Sequence, residues 1–102
     1  MEFKTSIDAG RATVFLEGRL AFGSYPDFRA ATLPLLDLQG VTEVHLDMAS
    51  VAYLDSSALG MILHFKLKAE AAKMTLVIAR PAPDIANILK IVNFHKLMTI
   101  IP

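Results

Sequence analysis

The chain has 102 residues, ten basic against ten acidic side chains, no cysteine, and 54% hydrophobic residues. That length builds one core and not two, so a single domain over residues 1–102 is expected. Balanced charge, with no basic run beyond the interrupted "FKLK", argues against a nucleic-acid partner. The missing cysteines exclude disulfides and thiolate chemistry, and no stretch reaches the roughly 20 apolar residues of a membrane span.

The opening "MEFKTSIDAG" alternates charged and apolar residues and lacks the pattern of a secretory signal, which leads to the expectation of a cytoplasmic protein. Residues 2–8 place Phe3, Thr5 and Ile7 on one face; "DAG" then turns the chain into a second strand, "RATVFLEG", as a hairpin. The segment "SYPD" starts a helix, with Ser24 as cap, Pro26 in the first turn and Asp27 completing a capping box. Phe28, Ala31, Leu35 and Leu38 give that helix an apolar face, which Pro34 should kink or shorten.

A third strand is expected at "EVHLDM", residues 43–48, with Val44, Leu46 and Met48 on one face. The continuous apolar run "MTLVIA", residues 74–79, fits a strand covered on both sides. A helix from Pro83 follows Ile85, Ile88, Leu89 and Val92 and ends by Asn93, and "MTII" supplies a short final strand. The expected fold is α/β: a mixed sheet of four to five strands with three to four helices packed on it.

Most of the chemistry gathers in "VAYLDSSALGMILHFKLKAE", residues 51–70. Asp55 is the natural N-cap of a helix whose first turn holds Ser56 and Ser57, next to free amides and the positive end of the helix dipole. Asp and Ser are also favoured at helix starts for capping alone. At 100° per residue, Ala58, Ile62, Phe65, Ala69 and Ala72 form the core face, and Ser57, His64 and Lys68 form a polar stripe. Ser56 shares its line with Gly60, Leu63 and Leu67, an apolar strip that either seals the edge of the core or meets a partner.

The segment "VAYLDSSALGMIL" resembles the signature of STAS domains, specifically bacterial anti-sigma factor antagonists. "FLEGRL", "VHLDM", "DSSALG" and "RPAPDIANILKIVNFHKLMTI" stand in the order which that family shows. The resemblance implies a regulator that is a substrate and not an enzyme. Ser56 would be phosphorylated by an anti-sigma factor that is also a serine kinase, with support from Asp55 and Ser57. The unphosphorylated protein would hold that kinase and free a sigma factor, and a serine phosphatase would restore the binding form. Gly60, Leu63, Leu67 and Arg19 are the expected partner-binding residues. Arg19 and Ala21 stand where acidic residues often follow strand two, and Ala58 where glycine is common. STAS domains also serve as soluble docking subunits of membrane transport complexes, without phosphorylation, and that is the alternative role.

No other chemistry is legible. "LDSSA" is not G-x-S-x-G, and His45, His64 and His95 follow neither a triad pattern nor a metal-ligand spacing. A phosphate-cradling glycine loop is missing too, so no cofactor is expected.

Overall fold

Alternation at the start of the chain becomes a hairpin in the computed structural model, which describes residues 1–102. Strand β1 (Glu2–Asp8) pairs antiparallel with β2 (Arg11–Leu20). Ala9 and Gly10 turn between them with φ of 49° and 85°, the doubly positive turn that matches the twist of the two strands. Phe3, Thr5 and Ile7 share one face, but only Phe3 is covered. It packs edge-on against Phe28, and Ile7 at the other end stays 55% exposed.

Strand β3 (Glu43–Leu54) runs parallel to β2, β4 (Thr75–Ala79) parallel to β3, and β5 (Thr99–Ile101) parallel to β4, giving the sheet order β1-β2-β3-β4-β5. Strand β3 extends six residues beyond the expected end at Met48 because it is bulged. Phe15 pairs with Asp47 and Glu17 with Ser50, then Gly18 with Val51 and Arg19 with Tyr53, so β3 twice spends three residues where two would serve a regular ladder, or two where one would. Its core residues accordingly pass from Val44, Leu46 and Met48 to Val51 and Leu54, and strict alternation is lost.

Helices α1 (Tyr25–Thr32), α2 (Ser56–Ala71) and α3 (Pro83–Ile91) connect the parallel strands. Each new strand is added on the same side of the last, so right-handed crossovers lay all three helices on one face. Val14, Leu16, Leu46, Met48, Leu76 and Ile78 of the sheet meet Phe28, Ile62, Phe65, Ile85 and Leu89 of the helices in one core. The other face carries no helix. Strand β4 is buried from Leu76 to Ala79 as expected, yet Val77 and Ala79 lie outside that core, screened by the flanking strands instead of a second helical layer. On this open side the buried Asp47 accepts from Arg80 Nε at 2.7 Å and from the Ala49 amide at 3.1 Å. That carboxylate, through its hydrogen bond and its charge, raises the Arg80 guanidinium above its ordinary pKa.

Of the helix ends, the start of α1 departs from the sequence reading. The Ser24 hydroxyl does not cap α1; it accepts from the Ala21 amide at 3.2 Å and donates to the Arg19 carbonyl at 3.0 Å, closing a 3-10 turn over Phe22–Ser24. Pro34 does end α1, and the chain continues as a 3-10 turn over Leu33–Asp37 in which Leu35 is buried while Leu38, beyond it, is exposed. Helix α3 stops at Ile91, so Val92 is exposed. Asn93 turns the chain at φ 59°, and Phe94 and Met98, which periodicity did not single out, complete the core.

Candidate functional site at the start of helix α2

Leu54 is the last buried residue of β3, and Asp55 follows it in extended conformation as the N-cap of α2. Its Oδ1 accepts from the Ala58 amide at 2.9 Å, as capping requires. Its Oδ2 accepts from the Phe22 amide at 3.3 Å, and its own amide donates to the Leu20 carbonyl at 3.3 Å. One residue therefore fastens the helix start to the end of β2 and the turn after it. The turn following β2 thus stands beside the start of α2.

With both carboxylate oxygens of Asp55 engaged, the two serines are not needed as caps. Ser56 is exposed and Ser57 half-buried, and neither amide has an intramolecular acceptor, which leaves two donors at the positive end of the helix. An anionic group on Ser56 would sit in favourable surroundings. No histidine stands beside it. His45 bonds Glu43 on the open sheet face at 2.7 Å, His95 follows α3, and His64 lies two turns along α2, about 12 Å of helix rise from the first turn.

The faces of α2 fall as the periodicity indicated except at Ala72, which lies past the helix end as its C-cap and is half-buried. Ala58, Ile62, Phe65 and Ala69 are buried, joined by Met61. His64 and Lys68 lie toward α1, lining a narrow apolar cleft with Tyr25, Phe28 and Arg29. The strip headed by Ser56 divides: Gly60 is open, Leu63 is half-buried against the core, and Leu67 is 66% exposed. A methyl group at Gly60 would meet nothing within 4 Å, so packing gives no reason for glycine there. In mid-helix it costs about 0.5–1 kcal/mol relative to alanine.

Arg19 pairs with Tyr53 across the β2–β3 ladder, its guanidinium 4.0 Å from the ring centroid. The cation is thus held over an aromatic face two residues before Asp55. Sequence reasoning did not identify Tyr53, or Phe22, which is 77% exposed beside the Asp55 carboxylate. An aromatic residue in a glycine-containing turn, "AFGS", was the available signal for Phe22.

Comparison with known proteins bears on what this arrangement is. The family model described as "Mlab, STAS domain" matches residues 3–101. A STAS-domain containing protein of Pseudomonas aeruginosa is 34% identical over 97 residues, covering 93% of this chain and 92% of its own. Among solved structures, an anti-sigma factor antagonist from Mycobacterium paratuberculosis superposes with a TM-score of 0.85 at 14% identity, over 99% of this chain and 85% of that one. The anti-sigma factor antagonist SpoIIAA in its unphosphorylated form gives 0.73 at 17% identity, over 99% and 87%. Its phosphorylated form gives 0.71 at 18%, over 97% and 90%. The murine Slc26a9 anion transporter gives 0.75 at 15% identity, over 89% of this chain but only 15% of the transporter. The fold is that of SpoIIAA, and the chain belongs to the STAS family.

Proposed function

We propose that this protein is an anti-sigma factor antagonist switched by phosphorylation of Ser56. Unphosphorylated, it holds an anti-sigma factor that is also a serine kinase and so releases a sigma factor; a serine phosphatase resets it. The observation that carries this reading is the division of labour at the helix start. Asp55 does the structural work with both oxygens, and Ser56 stands exposed beside free amides with no structural duty. In the transfer, the Ser56 hydroxyl oxygen attacks the γ-phosphorus of ATP, its proton passes to a base of the kinase, and ADP leaves. The antagonist supplies only the acceptor.

The added charge, about −1.5 to −2, falls at a helix start that tolerates an anion, so the fold persists while the docking surface changes. That surface is Gly60, Leu63 and Leu67 along the helix with Arg19 and Phe22 at its head. The role is cytoplasmic, and no helix of the chain is long and apolar enough to cross a membrane. The transporter domain among the structural neighbours favours a second reading, a constitutive docking subunit of a transport complex using the same surface without modification.

Affinity capture of the protein from its own cells, followed by binding measurements with the captured partner, separates the two. Under the switch, Ser56→Ala binds with or without ATP, Ser56→Asp binds poorly, and the partner is a kinase. Equal binding of all variants, with a transport ATPase as the partner, establishes the docking subunit instead.

A further inference from the structure

The antiparallel edge of the sheet carries a feature unrelated to α2. In the hairpin, Asp8 and Arg11 close a two-residue turn, and such a pair exchanges both of its main-chain bonds. The Gly10 carbonyl meanwhile accepts from the Glu43 amide of β3, which fixes the same alternation along β2. Glu2, Lys4, Ser6 and Asp8 therefore bond inward to β2, and the amides and carbonyls of Phe3, Thr5 and Ile7 point out of the sheet. A seven-residue edge of this kind is a template for another strand. Ile7, 55% exposed beyond the reach of α1, marks the part of the edge that this chain leaves uncovered.

We propose that this edge pairs with the β1 edge of a second copy, antiparallel about a two-fold axis at Ser6. In that register Thr5 of one copy exchanges main-chain bonds with Ile7 of the other, and symmetry repeats the pair. Lys4 stands directly opposite Asp8 of the second copy, twice over, on the helix-free face. Ile7 gains Thr5 opposite and Phe3 diagonally, so the uncovered end of each strand lies beside the covered end of the other. Moving the register so that Thr5 faces Thr5 would set Glu2 against Asp8, and moving it so that Phe3 faces Phe3 would pair Glu2 with Lys4 but leave Ile7 unpaired; charge and the cover of Ile7 together favour the axis at Ser6. Helix α2 crosses between β3 and β4, well inside the sheet, so both Ser56 sites stay open and the dimer presents two docking surfaces.

Because the chain has no cysteine, the register can be tested by single replacements in the otherwise intact protein. Sedimentation should show a concentration-dependent dimer. Under mild oxidation Ser6→Cys should form a disulfide-linked dimer, since Cα atoms of a non-hydrogen-bonded pair lie about 4.5 Å apart, within disulfide range. Lys4→Asp should weaken the dimer at least tenfold, and Lys4→Asp with Asp8→Lys should restore it, with circular dichroism confirming that both fold. A monomer at all concentrations overturns the proposal, as does cross-linking through Thr5→Cys in place of Ser6→Cys, or a failed charge swap in folded protein. A wild-type monomer whose edge is filled by a strand of another protein also overturns it.

Discussion

Asp55 and Ser56 are neighbours in different situations: both carboxylate oxygens of Asp55 are bonded, and Ser56 is exposed. Asp55→Ala takes away the cap and the tie to Phe22, so a loss of about 1 kcal/mol is expected. For a domain of this size that is a fall of about 5 °C in the melting midpoint. Asp55→Asn keeps an acceptor and should lose less. Scanning calorimetry checks both; an Asp55→Ala protein as stable as the parent would mean that the carboxylate is not structural. Gly60 makes the complementary case. Gly60→Ala should gain about 0.5–1 kcal/mol, because no neighbour obstructs the new methyl, yet should weaken partner binding if a partner lies against that point. Greater stability with unchanged binding would remove Gly60 from the interface. At this scale the sequence was informative at Asp55, whose capping bond lies within its own local chain. It did not single out Tyr53 or Phe22, whose neighbours depend on a strand pairing and on a contact remote in sequence.

Among the elements, α2 was the most legible, since a sixteen-residue helix repeats its periodicity often enough to fix its rotation. Ile62→Ala and Phe65→Ala should each cost about 2–5 kcal/mol, both side chains being enclosed by the core. Losses below about 1 kcal/mol for both would contradict the observed rotation. Leu67→Asp should leave stability nearly unchanged and weaken partner binding, because only a docked partner would desolvate the new charge. Leu63 is less suited to that test, being half-buried against the core. Strand β3 was read only to Met48 because its bulges replace a two-residue period by a three-residue one, and no local residue type announces that change. The Ser24 hydroxyl has two possible uses, capping α1 or closing the preceding 3-10 turn, and the turn takes it.

For the whole molecule, the order of strands and helices gave the α/β class, and the one-sided arrangement follows from it once each parallel strand is seen to join the same side of the sheet. What alternation could not convey is that half of β4 faces no helix. The architecture leaves the start of α2 braced by the end of β2, with Ser56 and Leu67 exposed, so that a charge added at Ser56 alters a surface and not a core. The most direct measurement of that claim is phosphosite mapping by mass spectrometry, on protein taken from cells and on protein incubated with ATP and its captured kinase partner. A single phosphate on Ser56 is expected, retained in Ser57→Ala, lost in Ser56→Ala, and absent when the purified protein meets ATP alone. Phosphate on Ser57, or none in the presence of the partner and ATP, would contradict the switch.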